Sequence, residues 1–166
     1  MLVEGQIVFK TLLGTGCRIS ELLALRQCDV ELCGEHARLK FRAKGAEDHA
    51  PFVPRRVAAQ IIEFAEFMGL MKESDCIFLR FHTKESAEKR VNRELARLSK
   101  KVGIAKCVTP HVLRATVATS LHAKGVPIVN IQRLLNHKDI STTAIYIRKL
   151  GDLDEAASLA LSWNDE

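Results

Sequence analysis

The sequence predicts a mainly α-helical domain with one small antiparallel β-sheet, an α+β fold. Apolar residues recur at helical spacing through most of the chain, whereas residues 37–42 alternate in the manner of a strand. The chain has 166 residues, of which 47% are hydrophobic, so it fits one domain with a sizeable core. That core must be mainly aliphatic, because the chain contains seven Phe, one Trp and one Tyr.

The first half is predicted to contain helices on either side of a β-hairpin. In chain order, the expected elements are a helix over 3–13, a helix over 18–26, strands over 37–42 and 50–53, a helix over 55–71 and a short buried piece at 77–79. Residues 44–48 form the turn of the hairpin, which places Lys44 near its tip.

The second half is predicted to be helical. Thr109 and Pro110 mark a helix start, because Thr favours the N-cap and Pro the first helical position. The expected helices cover 85–102, 110–124, 127–135 and 141–150, and residues 152–163 also show helical spacing.

Composition limits the class of partner and of compartment. Lys and Arg exceed Asp and Glu by 25 to 20, which is compatible with a polyanionic partner. The five cysteines form no CxxC pair, and the sequence shows neither a secretory segment nor a membrane span, so we expect a reduced cytoplasmic setting. Cys28, Cys33 and His36 lack a fourth ligand at zinc-finger spacing, so neither a metal nor a cofactor is predicted.

The helix predicted over residues 85–102 carries its charges on the face opposite its apolar residues. Candidate DNA-backbone contacts on that face are Lys89, Arg90, Arg93 and Arg97. A charged helix face is often only a solvated one, so both interpretations stay open.

Three short patches contain residues suited to phosphate chemistry. Arg18 begins a helix directly after a glycine turn, and His111 and Arg114 are three residues apart on one helix face. His137 precedes Tyr146 by nine positions. Each patch alone has an ordinary structural explanation, but their joint presence in one small domain makes Tyr146 a candidate nucleophile.

These patches resemble the catalytic domain of the tyrosine recombinases, the lambda-integrase group that includes Xer-type recombinases and Cre. The matching stretches are TGCRISELLALRQCDV, then AKG in the hairpin, then HVLRATVATSLHAKGVPIVNIQRLLNHKDISTTAIYI. The resemblance covers nearly the whole chain.

The resemblance implies a set of active-site residues. By position these are Arg18, Lys44, His111, Arg114, His137 and Tyr146, with Glu21 as a supporting acidic residue. Three positions depart from the common pattern. Ala115 stands where a second His is frequent, and Asn136 replaces the usual Gly before His137. The hairpin reads KGAEDHAPFVP where KGxKxRxVP is typical, so Lys40 remains the alternative to Lys44.

The implied reaction is site-specific DNA cleavage and rejoining, without a metal or ATP. Tyr146 would attack phosphorus and become a 3′-phosphotyrosine, and Lys44 would protonate the leaving 5′-oxygen. Arg18, Arg114 and His137 would hold the phosphate, because paired N–H donors suit its oxygens. His111 would act as general base towards the tyrosine, whose ordinary pKa lies near ~10.

The resemblance also implies an organisation and partners. We expect a catalytic domain over 1–150 and a helical tail over 151–166, without the family's N-terminal core-binding domain. The tail either docks on a neighbouring subunit, with Leu153, Leu161 and Trp163 as its anchors, or folds back on its own domain or is disordered.

Double-stranded DNA is the expected partner, bound as a tetramer in a full-length context. This domain alone would be a monomer or weak dimer whose DNA binding is weak and strongly salt-dependent. Three alternatives stay open: a type IB topoisomerase, a catalytically degenerate remnant and a non-catalytic DNA-binding module.

Overall fold

The structure is a computed structural model that describes residues 4–42, 49–70, 72, 74–79 and 83–148. Its helices are α1 (Glu4–Thr15), α2 (Ile19–Ala24), α3 (Arg55–Phe67), α4 (Lys84–Lys101), α5 (Pro110–Ala123), α6 (Ile128–Leu135) and α7 (Ile140–Arg148). Its strands are β1 (Val30–Cys33), β2 (His36–Leu39) and β3 (Phe52–Pro54), and a single 3₁₀ turn covers Gln27–Asp29. The predicted mainly helical fold with a small antiparallel sheet is therefore confirmed.

The sheet has the order β1-β2-β3, with both neighbouring pairs antiparallel. Strand β1 was not predicted; it follows the 3₁₀ turn, and its first residues are only partly buried. Beyond β2, Phe41 pairs with His49 in an isolated antiparallel bridge that continues the hairpin. The predicted turn over 44–48 lies outside the described residues.

The end of the first helix differs from the prediction. The predicted helix ends before Gly14, but α1 continues through Gly14 to Thr15. The chain reverses at Gly16 instead, whose φ of +65° lies in the left-handed region that glycine adopts without steric cost. Arg18 lies two residues after this turn.

The helix start predicted at Thr109 is confirmed. The hydroxyl of Thr109 accepts a hydrogen bond from the backbone N–H of Val112 at 3.3 Å, and Pro110 opens α5. The cap satisfies one of the backbone donors that a helix start leaves unpaired. Because the cap fixes where α5 begins, it sets the directions in which the His111 and Arg114 side chains project from the helix.

The buried apolar residues form two clusters. The main cluster is built by α1–α4 and the sheet, with Leu12, Leu22, Phe41, Ile61 and Phe78 among its members. The second cluster lies under α5–α7 and comprises Val117, Ala118, Ile131, Leu135 and Tyr146. The predicted nucleophile is therefore itself a packed residue.

Within the described ranges, none of the helices combines the length and the apolar character needed to cross a bilayer. The tail predicted over 151–166 lies outside them.

Candidate active site

Arg18 is the residue immediately before α2, and Glu21 fixes it there. The carboxylate of Glu21 accepts from the Arg18 backbone N–H at 2.7 Å and from its guanidinium Nη1 at 2.8 Å. The second guanidinium nitrogen donates to the carbonyl of Asn136 at 2.9 Å. Glu21 is only 4% exposed, whereas the Arg18 side chain is 38% exposed. The buried Glu21 thus fixes the orientation of Arg18, while the guanidinium charge remains accessible to solvent.

The side chain of Arg114 projects from α5 into the interior, and the residue is only 4% exposed. Its two terminal nitrogens donate to the carbonyls of Gly16 and Leu135. Burial lowers the pKa of Arg114 below its ordinary value, and the positive charge of Arg18 lowers it further. An anion bound beside these two guanidinium groups would offset their positive charges and be stabilised.

His137 follows α6, and its ring is held by Thr143. Its Nδ1 lies 2.8 Å from the hydroxyl of Thr143, which is fully buried. Burial, and then the charges of Arg114 and Arg18, lower the pKa of His137 to about 4. The ring is therefore neutral at neutral pH. When Thr143 donates to Nδ1, the hydrogen sits on Nε2, which can donate to an anion.

Tyr146 points its hydroxyl at His111. The oxygen lies 3.4 Å from His111 Nδ1, a long hydrogen bond of the kind that tightens when substrate binds. The tyrosine ring lies edge-on to His111, with centroids 5.3 Å apart, and 5.6 Å from the ring of His137. Tyr146 is therefore fixed between the two histidines.

These side chains surround one cavity of about 530 Å³. Its lining includes the predicted residues Arg18, His111, Arg114, His137 and Tyr146. Buried Cys17 also lines it, but burial raises the pKa of that thiol to about 12, so it is a poor nucleophile. The cavity can hold an anion beside one hydroxyl nucleophile and one imidazole base.

A second cavity of about 530 Å³ adjoins the first and shares Arg18, Lys84 and His137 with it. It adds the cations Arg42 and Lys138. Together the two cavities form a groove with more basic than acidic side chains, although Glu21, Glu88 and Asp139 also line it.

The predicted hairpin lysine, Lys44, lies outside the described residues. Its alternative, Lys40, forms an ion pair with Glu31 of the sheet and is absent from the linings of both cavities as far as the described residues define them. The choice between them remains a prediction.

The predicted DNA-contact face of α4 divides in the structure. Arg90 turns inward, where it pairs with Glu4 at 2.6 Å and donates to the Phe78 carbonyl at 2.6 Å. Lys89, Arg93 and Arg97 are exposed or half-exposed, and of these Lys89 pairs with Glu85 at 2.7 Å and Arg97 with Glu94 at 3.0 Å. DNA binding by this face, Arg90 included, stays a prediction.

Sequence reasoning missed two residues at the site. Lys84, the first residue of α4, lines both cavities, and Thr143 orients His137. Lys84 is little more than one helical turn before the predicted basic run, so its basic type was the available signal. No local pattern marks Thr143, because its contact depends on how α7 packs beside the end of α6.

The described residues contain no group of three or more His, Cys, Asp and Glu side chains placed to bind a metal ion. The five cysteines are all free thiols. The expected absence of a metal remains a prediction.

Comparison with known proteins gives a consistent result. The model of the phage integrase family matches residues 3–151. Tyrosine recombinase XerA of Saccharolobus solfataricus is 33% identical over 143 residues, which are 86% of this chain and 45% of the relative. Tyrosine recombinase XerD of Halalkalibacterium halodurans is 33% identical over 151 residues, 87% of this chain and 49% of the relative. The chain thus spans about half the length of these relatives.

Solved structures show the same fold. The crystal structure of XerA recombinase covers 93% of this chain and 55% of its own, with a TM-score of 0.72 and 29% identity. XerH recombinase, solved in a pre-cleavage complex with its difH substrate, also has a TM-score of 0.72, with 20% identity. It covers 97% of this chain and 45% of its own.

Proposed function

The chain belongs to the phage integrase family, and on that premise we propose that it is the catalytic domain of a site-specific DNA recombinase. It would cleave and rejoin DNA strands through a covalent bond to Tyr146. One observation carries the proposal: the Tyr146 hydroxyl lies 3.4 Å from an imidazole and lines the same cavity as two arginines. The XerA and XerD relatives are named tyrosine recombinases, which supports the same conclusion.

The first step is attack on a DNA phosphate. A bond forms between the Tyr146 oxygen and phosphorus, and the bond from phosphorus to the 5′-oxygen breaks. The tyrosine proton passes to His111 Nδ1, towards which the hydroxyl already points. The leaving 5′-oxygen takes a proton from Lys44, a role assigned by resemblance.

Arg18, Arg114 and neutral His137 would stabilise the charge that develops on the non-bridging oxygens. Each is fixed before substrate arrives: Arg18 by Glu21, Arg114 by two carbonyls and His137 by Thr143. Donors that need no reorganisation during the reaction contribute most to rate, and loss of one typically costs about 10²–10³ in kcat.

Strand rejoining follows because the intermediate retains the energy of the cut bond. The 3′-phosphotyrosine is still a phosphodiester, so a 5′-hydroxyl from a second strand can attack it and release Tyr146. No nucleotide hydrolysis is required. Double-stranded DNA would lie along the groove formed by the two cavities, where Arg42, Lys84 and Lys138 can contact its backbone.

The arrangement into a catalytic domain over 1–150 with an exchanged or folded-back tail is part of this proposal, as is a tetramer on DNA in a full-length context. The chain matches about half the length of its relatives, which supports this arrangement. Phosphate contacts from the rest of such a longer chain would add to those that this domain makes. Gel shifts at several salt concentrations test the expected DNA binding. This domain alone should bind DNA weakly, and its affinity should fall steeply as the salt concentration rises.

The test of the reaction is a covalent trap. DNA from the flanks of the encoding gene is nicked so that the short 5′ fragment diffuses away after cleavage, and protein–DNA adducts are separated on a denaturing gel. Wild type should form an adduct, whereas Tyr146→Phe, which keeps the buried ring but loses the hydroxyl, should form none. An equal yield from Tyr146→Phe would refute the assignment.

A plasmid assay and the trap separate two alternatives. Relaxation of a supercoiled plasmid without sequence preference and without joining of two sites would indicate a type IB topoisomerase. No adduct from folded wild type would indicate a degenerate remnant.

A further inference from the structure

We propose that Thr143 is a positioning residue that fixes the tautomer of His137, with the ring hydrogen on Nε2. The inference rests on the proposed function, because it concerns how a phosphate donor is prepared before substrate arrives. The hydroxyl of Thr143 lies 2.8 Å from His137 Nδ1. Thr143 is fully buried and His137 is only 8% exposed. Because the contact is shielded from water, each of the two groups depends on the protein for its hydrogen-bonding partner.

The surroundings of Thr143 indicate which of the two groups donates. A buried hydroxyl hydrogen needs an acceptor, and a threonine within a helix often uses the carbonyl four residues earlier. Three helical threonines of this chain do so, at 2.8, 2.7 and 2.9 Å: Thr11, Thr15 and Thr116. Among the described residues, the Thr143 hydroxyl instead has a single hydrogen-bonding partner, His137 Nδ1. The hydroxyl therefore donates to Nδ1, because the opposite direction would leave its own hydrogen without an acceptor among those residues.

This direction decides where the imidazole hydrogen lies. Burial, and then the charges of Arg114 and Arg18, lower the pKa of His137 to about 4, so the ring is neutral at neutral pH and carries one hydrogen. Because Nδ1 accepts from Thr143, that hydrogen is on Nε2. His137 lines the same cavity as the two arginines and Tyr146, so Nε2–H is the group that can donate to a phosphate oxygen held there. The other tautomer would present a lone pair to the anion.

Thr143 is positioned by the helix that also carries the nucleophile. Thr143 and Tyr146 are three residues apart on α7, a spacing that puts two side chains on one helix face, and both are buried. The packing of α7 therefore brings the tyrosine hydroxyl towards His111 and the threonine hydroxyl towards His137 together. A change at Thr143 should slow the reaction although Thr143 itself does not touch the phosphate.

The tautomer can be determined directly in wild type by ¹⁵N NMR of protein labelled at histidine. A ring nitrogen that bears hydrogen and one that does not have well-separated resonances, and the His137 signals are identified as those missing from His137→Ala. At neutral pH, Nε2 should bear the hydrogen and Nδ1 should not. The reverse assignment, or signals averaged between the two tautomers, would overturn the proposal. This measurement requires neither DNA cleavage nor a variant at Thr143.

The kinetic test removes the hydroxyl and then restores it. Thr143→Val keeps the branched shape and should form the covalent adduct on nicked DNA about tenfold more slowly in single turnover, the loss expected for one hydrogen bond. Thr143→Ser keeps the hydroxyl and should recover to within about threefold of wild type. Thr11→Val is the matched control and should retain the wild-type rate, because Thr11 is equally buried but donates to the Ile7 carbonyl of its own helix.

The His137→Ala background tests whether the effect passes through the imidazole. In that background Thr143→Val should cause no further loss, because the hydroxyl has no ring to hold. Three kinetic results would overturn the proposal: a wild-type rate for Thr143→Val, a rate for Thr143→Ser as low as that of Thr143→Val, or the full loss in the His137→Ala background. The last result would assign the effect of Thr143 to the packing of α7.

The two measurements separate this proposal from the proposed function. If wild type forms the adduct through Tyr146 while His137 Nδ1 bears the hydrogen, the proposed function stands and the role of Thr143 fails. If the spectrum places the hydrogen on Nε2 while wild type forms no adduct, the proposed function fails, and the role of Thr143 in the reaction fails with it.

Discussion

The main and second clusters differ in how they support the active site. The main cluster buries aliphatic and phenylalanine side chains from α1–α4 and the sheet, and Arg18 stands at its edge, directly before α2. The second cluster is much smaller, and Tyr146 is one of its packed members. Arg18 is thus positioned by the large main cluster, whereas Tyr146 is positioned by the small second cluster, of which it is itself a member. Displacing the nucleophile should therefore require less energy than displacing the arginine.

The two clusters meet at Gly16 and Arg114. A Cβ at Gly16 would lie 2.5 Å from Leu135 Cδ2 and 3.3 Å from Val117 Cγ1, both in the second cluster. Arg114 donates to the carbonyls of Gly16 and Leu135, one from each side of this junction. The active site is therefore assembled where the clusters touch, and substitutions at the junction test the comparison most strongly.

Among substitutions at the junction of the two clusters, Arg114→Lys should have the largest effect on activity. A lysine ammonium lacks the planar fork that reaches two carbonyls while facing a phosphate. We expect the adduct-forming rate to fall by about 10²–10³, measured in single turnover. The control is Arg55→Lys, whose exposed guanidinium makes one hydrogen bond to the Gly34 carbonyl at 2.9 Å and should tolerate the change. Equal activity of Arg114→Lys and wild type would show that the arginine does not bridge the clusters productively.

Gly16→Ala should destabilise the junction directly. The added methyl group meets Leu135, and the left-handed backbone disfavours alanine, so the free energy of unfolding should fall by about 3 kcal/mol. Gly125→Ala separates the two causes, because Gly125 has φ 78° but no atom within 4 Å of the place that an alanine methyl group would take. It should lose only about 1 kcal/mol in chemical denaturation. Equal losses would mean that the clusters are not tightly packed at Gly16.

The second cluster should also weaken in acid through His137. The pKa of His137 is lowered to about 4 from 6.5, so protonation favours the unfolded chain. Its contribution is fully present above pH 6.5 and is lost as the pH falls towards 4. Asp139, whose pKa is lowered by its hydrogen bonds from Ser141, stays charged throughout this window.

The measurement is denaturation of wild type and His137→Gln at about pH 7 and about pH 4.5. The stability advantage of wild type should shrink by about 2 kcal/mol between these values. A constant difference would show that His137 is not held neutral by its surroundings.

Lys84→Ala should give the smallest effect. Lys84 lines both cavities from the start of α4, so its loss should slow adduct formation about tenfold and reduce the dependence on salt. Lys124→Ala, exposed directly after α5 and absent from the linings of both cavities as the described residues define them, should change the rate less than about twofold. The same loss in both variants would assign Lys84 to general charge rather than to the site.

Much of the fold was predictable because the local signals agree with the packing. The Thr109 cap is confirmed, and of the strand predicted over 37–42 the structure has β2 (His36–Leu39) and an isolated bridge at Phe41. Strand β1 was not predictable in this way, because its own sequence does not alternate clearly. It is a strand because it pairs with β2. The end of α1 was placed too early because Gly14 is tolerated within a helix, while Gly16 provides the turn.

The candidate site was predictable in its residue types but not in its supports. Arg18, His111, Arg114, His137 and Tyr146 were found from the sequence and line one cavity. The supports depend on packing: Thr143 orients His137 only because α7 packs beside the end of α6, and Asn136 meets His49 across 87 positions. Arg90 shows the converse, because helical spacing assigned it to an exposed face while Glu4 holds it inward.

The central claim, that Tyr146 is the nucleophile, is tested most directly by mapping the covalent bond. The trapped adduct is digested with nuclease and trypsin, and the peptide from Asp139 to Arg148 is analysed by tandem mass spectrometry. We predict that a nucleotide linked through its 3′-phosphate is attached to Tyr146. Attachment to Ser141 or Thr142, an adduct on any other peptide, or linkage through a 5′-phosphate would contradict the account.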